Sequence, residues 1–238
     1  MALILNIETS TVVCSVALAK NGVVISKREN HDEKSHAKSL TLYIEEVLSE
    51  SKVGFNQIDA IAVSKGPGSY TGLRIGVSVG KGLCYAIDKP LIAINTLQLM
   101  CFSIINKTRT KEIFISDFNK SILLPMIDAR RMEVYTGLYT SDGQKIREVA
   151  AEIINKESFA ELLEKNRIVC FGDGALKVNE VIKHQNFTYI PDICPLAENM
   201  TVLSEDYYKL KNFENTAYFE PFYLKDFVAT IPKKNIFG

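Results

Sequence analysis

The sequence predicts an α/β protein of two lobes, each built on a mixed β-sheet that is flanked by helices. Three apolar runs open the chain at residues 3–7, 14–19 and 23–27, and an Asn-Gly dipeptide at 21–22 separates the last two. Both residues of this dipeptide tolerate positive φ, so it favours a tight hairpin turn and antiparallel strands. Farther along, helical apolar spacing alternates with short apolar runs, which is typical of parallel strands joined by helices.

The first lobe continues from this hairpin with alternating helices and strands. Leucine, isoleucine and valine fall on one helical face after residue 37, which indicates the first helix. The predicted elements are a helix at 37–51, a strand at 58–63, a helix at 71–87, a strand at 91–94 and a helix at 96–105. Together with the hairpin strands they give a mixed five-stranded sheet with helices on both sides.

The second lobe echoes the first less clearly, after a polar, irregular stretch at 107–120 that is predicted as a linker or loop. Its elements are strands at 122–127, 133–139 and 146–153, a helix at 157–165, a strand at 168–171 and a helix at 175–184. A helix at 197–209 and an extended aromatic tail at 219–225 follow. We therefore expect an N-terminal lobe at 1–106, a smaller C-terminal lobe at 107–195, and a segment at 196–238 that packs back on the first lobe.

Composition and charge exclude several classes of function. The chain has 28 Lys and Arg residues against 28 Asp and Glu, whereas a protein that binds tRNA alone normally carries excess positive charge. No run of about 18 apolar residues is present and the start lacks a signal-peptide pattern, so we expect no membrane segment. The five cysteines are scattered without paired spacing, which indicates reduced thiols in a cytoplasmic protein.

Four segments carry more specific information, and the most specific is GPGSYTGLRIG at 66–76. The others are ILNIETST at 4–11, PMIDARRMEVY at 125–135 and YLK at 223–225. These segments resemble the TsaB (YeaZ) family, and the resemblance spans nearly the whole chain. It implies the two-lobed, actin-like ATPase (ribonuclease H-like) fold of the actin/Hsp70/sugar-kinase superfamily. It also implies a part in placing threonylcarbamoyl on the adenosine beside the tRNA anticodon.

The same resemblance implies a partner, the TsaD-like catalytic subunit, which shares the fold. The metal site of that family begins with two histidines four residues apart, on a helix directly after a strand. The matching segment here is KPLIAINTLQLM at 89–100, and the two positions hold Thr96 and Met100. A hydroxyl and a thioether do not replace two imidazoles as metal ligands. We therefore expect no catalytic residues and no metal site in this chain.

A residual nucleotide cleft has six candidate residues. Superfamily kinases grip phosphate in the first hairpin, but the glycine that lets backbone N–H groups approach phosphate is missing here. Each position also has a purely structural interpretation. The turn at 8–10 would be a hydroxyl-rich cap of the strands, Asp128 would belong to a salt-bridged turn, and the glycines at 172 and 174 would form an ordinary connection between a strand and a helix. We expect no cofactor, with ATP or ADP bound only weakly or at the interface with the partner. The six residues are Glu8, Thr9, Ser10, Asp128, Gly172 and Gly174.

A glycine stripe on the predicted helix at 71–87 suggests a surface for close packing. Gly72, Gly76 and Gly80 recur every four residues, and each costs about 0.5–1 kcal/mol relative to alanine in a helix. The stripe packs either on its own sheet or against the TsaD-like partner, and we expect the partner. Gly76→Leu would then abolish partner binding and leave the monomer folded. The predicted interface residues are Leu40, Ile44, Val47, Gly72, Leu73, Gly76, Gly80 and Leu83.

The leading hypothesis is a non-catalytic partner that forms a heterodimer with the TsaD-like subunit and helps to recruit a TsaE-like ATPase. In this hypothesis tRNA binds only through the complex, and a homodimer of the isolated chain is the alternative assembly. A rival hypothesis is a stand-alone ATPase or kinase that uses Glu8, Asp128 and the turn at 172–174. An endopeptidase is disfavoured, because the three scattered histidines indicate no catalytic triad. His31 and His36 are predicted to lie in a solvated loop.

Overall fold

A computed structural model describes residues 2–31 and 36–225, which form two α/β lobes with one five-stranded sheet in each. In the first sheet β1 pairs antiparallel with β2 and β2 with β3, whereas β4 and β5 run parallel to β1. The order across the sheet is β3-β2-β1-β4-β5. Its strands are β1 (Leu3–Glu8), β2 (Cys14–Lys20), β3 (Val23–Asn30), β4 (Ala60–Gly66) and β5 (Leu91–Asn95).

Helices cover both faces of the first sheet. Since side chains alternate between the two faces of a strand, β1 contributes Leu5 and Ile7 to one hydrophobic cluster and Ile4 to another. The first cluster includes side chains of α1 (His36–Ser51) and α2 (Tyr70–Ile87), and the second includes side chains of α3 (Thr96–Arg109) and α6 (Ala197–Lys209). No helix within residues 2–31 and 36–225 is long and apolar enough to cross a bilayer.

The second sheet repeats the strand order of the first. Its strands β8, β7 and β6 are antiparallel neighbours, and β9 and β10 continue the sheet in parallel. This duplication confirms the predicted two-lobed, actin-like fold. The elements are β6 (Ser121–Asp128), β7 (Glu133–Tyr139), β8 (Lys145–Ile153), α4 (Ala160–Lys165), β9 (Arg167–Phe171), α5 (Ala175–Val181) and β10 (Phe187–Ile190).

Two local features differ from the sequence-based prediction. Strand β10 was not predicted, because its four residues are all half-buried and show no alternation of apolar and polar positions. The prediction that residues 107–120 form an irregular linker is wrong at its start, where α3 continues to Arg109. The residue boundaries of the two lobes and of the final segment stay predictions.

The described end of the chain runs back along the first lobe and reaches the second. The N–H of Glu214 donates to the carbonyl of Leu91 at 2.9 Å, and the N–H of Phe222 donates to the carbonyl of Lys65 at 2.7 Å. Lys225 then forms an ion pair with Glu133 at the start of β7. The tail therefore connects the strands of the first lobe with the edge of the second.

Candidate functional site

A cavity of about 330 Å³ lies between the two lobes. Its walls come from the turn after β1, from Met100 of α3 and from the turn after β9. Ligands of α/β folds commonly bind at the carboxyl ends of strands, and the ends of β1 and β9 meet here. The lining residues are Thr11, Val12, Val13, His31, Met100, Gly172, Asp173, Leu176, Tyr189, Asp192, Ile193, Cys194 and Pro195.

The chemistry of this cavity does not fit a nucleotide triphosphate. Among the described residues that line it, Asp173 and Asp192 are the charged side chains besides the titratable His31, and there is no lysine or arginine. A phosphate chain is bound by cations or by a glycine-rich backbone cradle, whereas two carboxylates repel it. Beyond these, Thr11 and Tyr189 offer only neutral hydroxyl groups, and most of the remaining lining is apolar.

The hydroxyl-rich turn after β1 serves the first lobe itself. Glu8, Thr9 and Ser10 are all buried and none of them lines the cavity. The Thr9 hydroxyl donates to the carbonyl of Gly72 at 2.8 Å, and the carbonyl of Ser10 accepts from the N–H of Ser69 at 2.6 Å. These bonds fix the turn to the N-terminus of α2. The turn therefore has the structural role that the sequence left open as an alternative to phosphate binding.

The turns of the second lobe also differ from a nucleotide site. Asp128 accepts from the ammonium group of Lys177 at 2.8 Å, so it belongs to a salt-bridged turn. Gly172 has φ +104°, and a Cβ atom added there would lie 2.2 Å from the carbonyl oxygen of Met126. At Gly174 an added Cβ would lie 2.9 Å from the carbonyl carbon of Ile127. Of the six predicted cleft residues, the structure brings only Gly172 to the cavity.

The two positions that match the histidines of the TsaD-like metal site are buried. Thr96 begins α3 and its hydroxyl has no hydrogen-bond partner among the described residues, while Met100 packs beside Gly172. In the part of the chain that the structure describes, no group of three histidine, cysteine or acidic side chains could hold a metal ion. A hydroxyl and a thioether in an apolar wall do not fit a hard or borderline cation.

The histidines fall into two different environments. His31 is exposed beside Glu29, as predicted, and residues 32–35 lie outside the described part of the chain. His36 is buried, with its Nε2 atom 2.8 Å from the carbonyl oxygen of Thr11, so the prediction that it is solvated is wrong. The signal for this contact is its spacing of four from Leu40, which extends the apolar face of α1 by one turn.

Glu8 is a buried carboxyl group with a pH-dependent effect on stability. Burial raises its pKa from 4.5 to about 7, although the N–H of Ser10 donates to its Oε1 atom and nearby polar groups act in the opposite direction. One of its oxygens, Oε2, has no hydrogen-bond partner among the described residues, and no cation pairs with it. The pKa of the neighbouring Cys14 thiol is raised to about 11 by its own burial and by the charge of Glu8.

Replacing Glu8 by glutamine is expected to flatten the pH dependence of folding. Below pH 4.5 the carboxyl group is protonated in both states, and between pH 4.5 and about 7 it ionises only when unfolded. The free energy of unfolding therefore falls as pH rises through this window, by about 3 kcal/mol in all, and Glu8→Gln removes that fall. Urea unfolding at pH 5, 6, 7 and 8 measures the effect. Glu45→Gln, an exposed change on α1, should keep the wild-type slope, and an equal slope in Glu8→Gln would contradict the prediction.

The glycine stripe of α2 faces the interior of the first lobe. A Cβ atom at Gly72 would lie 2.0 Å from the Thr9 carbonyl oxygen, and one at Gly76 would lie 2.2 Å from the Thr9 hydroxyl. At Gly80 the nearest atom, Cγ1 of Val63, would be 2.6 Å away. The glycines therefore allow α2 to approach the β1 turn and β4, and the prediction that they contact a partner is wrong.

The other predicted interface residues share this correction. All of them except Leu83 are buried in the first lobe, because the apolar face that periodicity identifies on a helix is the face that covers its own sheet. Leu83 is half-buried against the same cluster. The buried residues are Leu40, Ile44, Val47 and Leu73, together with the three glycines.

The opposite face of α2 is largely exposed. It also carries Arg74 and Lys81, and its Ile75 packs in part on the same core cluster as Leu83. Ile75, Ser78, Gly82 and Tyr85 follow one another at alternating spacings of three and four, as in the seam of a coiled coil, and we call them the outer stripe. Ile75 is half-buried and Ser78 exposed, Tyr85 is 89% exposed, and a Cβ atom at Gly82 would meet no atom within 4 Å. The stripe therefore offers a partner helix an apolar surface with room for close approach.

Two of the motifs singled out in the sequence meet in space. The guanidinium carbon of Arg74 lies 4.1 Å from the centroid of the Tyr70 ring, and the Tyr70 and Tyr223 ring centroids are 4.8 Å apart. Arg74 Nε also donates to the Tyr223 hydroxyl at 3.4 Å. The segment at 66–76 and the YLK segment at 223–225 thus form one cluster beside the outer stripe, which the sequence did not predict.

Two lobes with the same strand order and a cleft between them define an actin-like α/β protein. The family model of TsaD, tRNA N6-adenosine threonylcarbamoyltransferase, matches residues 23–217. The chain is 30% identical to the tRNA threonylcarbamoyladenosine biosynthesis protein TsaB of Buchnera aphidicola, over 77% of this chain and 78% of the relative. With TsaB of Haemophilus influenzae it shares 28% identity over 95% and 94% of the two chains. YeaZ from Pseudomonas aeruginosa superimposes with a TM-score of 0.75 at 25% identity, over 94% of this chain and 100% of that structure. The chain belongs to the TsaB (YeaZ) family.

Proposed function

We propose that this chain is the non-catalytic partner of a TsaD-like transferase in forming threonylcarbamoyladenosine beside the tRNA anticodon. The observation that carries the proposal is the chemistry at the two positions where the TsaD-like family has histidines. Met100, which lines the interlobe cavity, holds one of them, and the buried Thr96, one turn earlier on α3, holds the other. A chain that offers neither metal ligands nor a phosphate-binding lining there contributes binding and positioning to the reaction. The relatives in Buchnera aphidicola and Haemophilus influenzae are threonylcarbamoyladenosine biosynthesis proteins, which supports the same pathway for this chain.

The surface that would bind the transferase is the outer stripe of α2. It is uncharged, and α1 adds Leu42, which is 50% exposed. Lys81 lies at the side of the stripe, and its ammonium group donates to the carbonyl of Phe219 at 2.9 Å. A pair of helices from each subunit would bury this surface in a four-helix contact. A TsaE-like ATPase and tRNA would then join the heterodimer, and a homodimer through the same stripe is the alternative for the isolated chain.

A stand-alone ATPase or kinase is the rival function. It would need cations or a glycine-rich cradle at the phosphates, and the cavity presents Asp173 and Asp192 instead. The buried Glu8 is held by the N–H of Ser10 and does not reach the cavity. The carboxylates that line the cleft and the position of Glu8 outside it therefore favour the role of a partner protein over that of an ATPase.

Depletion of the chain from its native cells, followed by rescue, tests the proposal. Threonylcarbamoyladenosine in total tRNA, measured by mass spectrometry of digested nucleosides, should fall on depletion and return with the wild-type chain. Rescue by Asp173→Asn should be complete, because a chain without its own chemistry has no need of this cleft carboxylate. Capture of the tagged chain should recover the transferase in near-equal amount. Unchanged modification on depletion would contradict the proposal, as would ATP turnover by the purified chain that Asp173→Asn abolishes.

A further inference from the structure

The end of α3 and the loop that follows it carry an exposed group of aromatic and basic side chains. We propose that this group, defined as Arg109, Lys111, Phe114, Phe118 and Lys120 and called the basic–aromatic surface, contacts single-stranded RNA. The inference rests on the proposed function, because it assigns the tRNA of that reaction to a particular surface of this chain. An unpaired base would stack on Phe114, and the neighbouring phosphates would lie beside the cations.

The shape of this surface suits a base. An open cavity of about 550 Å³ is lined by Lys111, Ile113, Phe114, Phe118 and Lys120, and also by Asp117, whose carboxylate lies beside Arg167. Phe118 packs against the hydrophobic core of the second lobe, while the Phe114 ring is 91% exposed. Both rings line the cavity, and an exposed aromatic ring there offers a base of any sequence a face to stack on.

The charges around the cavity are not balanced. Arg109, Lys111 and Lys120 are exposed, and within residues 2–31 and 36–225 none of the three forms an ion pair with a carboxylate. The two local acids are already occupied. Glu112 lies 3.2 Å from the Lys107 ammonium group, and Asp117 lies 3.9 Å from the guanidinium of Arg167.

This local excess of positive charge occurs in a chain whose formal net charge is zero. Phosphate contacts supply most of the affinity of proteins for nucleic acid. Three cations give a weak contact, which matches a chain that meets tRNA inside a complex rather than alone. None of the five residues belongs to the outer stripe, so RNA contact and partner binding use different residues and are separable by mutation.

Binding of a fluorescein-labelled, unmodified tRNA transcript to the heterodimer tests the inference. The double variant Lys111→Glu/Lys120→Glu should weaken binding at least tenfold in 50 mM KCl and reduce the slope of log K against log salt concentration. Phe114→Ala should weaken binding about fivefold or more and leave the salt slope unchanged, because stacking releases no counterions. Lys156→Glu/Lys183→Glu and Tyr218→Ala, which alter exposed residues elsewhere, are the matched controls and should bind as wild type.

The outcomes separate this inference from the proposed function. Size-exclusion chromatography should show an intact heterodimer for every variant, so a loss of RNA binding is not a loss of the partner. If the wild-type heterodimer does not form, the proposed function fails, and the same transcript is then titrated with the isolated chain at low salt. Wild-type affinity in the double variant, or equal losses in the controls, overturns the RNA surface. If the double variant Lys111→Glu/Lys120→Glu still bound RNA but no longer bound polyglutamate, the surface would bind an acidic protein instead of RNA.

Discussion

Gly72→Ala is expected to destabilise the first lobe by about 3 kcal/mol or more, at the upper end of the range for overpacking. The new Cβ atom would lie 2.0 Å from the carbonyl oxygen of Thr9, a backbone atom that no side-chain rotation moves aside. Either α2 shifts away from the β1 turn, or the turn gives up its hydrogen bond from Thr9 to the Gly72 carbonyl. Both changes disturb the turn of Glu8, Thr9 and Ser10, which is fully buried.

Gly82→Ala is the matched control for this prediction, because it makes the same substitution in the same helix. No atom lies within 4 Å of a Cβ at Gly82, so only the helix propensity changes, and stability should rise by up to about 1 kcal/mol. Urea unfolding followed by circular dichroism measures both variants. Two variants of equal stability would show that α2 does not approach the β1 turn as closely as the structure indicates.

The same contacts change the expected effect of a larger substitution in the glycine stripe, Gly76→Leu, on folding and on partner binding. The sequence predicted that Gly76→Leu would leave the monomer folded and abolish partner binding. Because a Cβ atom there would lie 2.2 Å from the Thr9 hydroxyl, the structure instead predicts an unfolded or rearranged first lobe. Loss of the partner in that variant would follow from unfolding and would carry no information on the interface.

The fold was predictable because its signals are local. The Asn-Gly turn, the change from alternating to helical periodicity and the proline after α2 each lie within a few residues of the element that they specify. Strand β10 was not predicted, because a strand of four half-buried residues is too short to show an alternation of apolar and polar positions. Its absence from the prediction also hid a wall of the cleft, since Tyr189 belongs to β10 and Asp192 to Pro195 follow it.

The candidate surfaces were harder to predict, because the orientation of a helix on its sheet decides which of its residues are exposed. Helix α2 is apolar or small on several sides, and spacing alone identified the glycine stripe without saying what it approaches. The sheet that determines this contains β4, whose Val63 lies next to Gly80. Likewise, Tyr70 and Tyr223 are separated by most of the chain, so no local pattern connects them.

Gly82→Arg is expected to abolish binding of the TsaD-like partner while the monomer stays at least as stable as the wild type, since arginine also favours the helix over glycine. The arginine side chain projects from the middle of the outer stripe into open space, so nothing in the isolated chain is displaced. In a helix-to-helix contact, however, it would occupy the place of closest approach and bury a charge without a partner. A penalty of a few kcal/mol corresponds to a loss of about 100-fold or more in affinity.

Isothermal titration of the purified partner, together with thermal unfolding of each chain, measures this prediction. Ala160→Arg, which adds the same side chain at an exposed position of α4 in the other lobe, is the control and should bind with wild-type affinity. Tyr85→Ala should lose binding more moderately, since it removes contact area without adding a charge. If Gly82→Arg bound the partner normally, the interface would lie off the outer stripe, and the cluster of Tyr70, Arg74 and Tyr223 would be the next surface to test. Loss of binding without loss of stability, by contrast, distinguishes the two faces of α2. The inner face loses stability when a methyl group is added, whereas the outer face responds to a full side chain only when the partner is present.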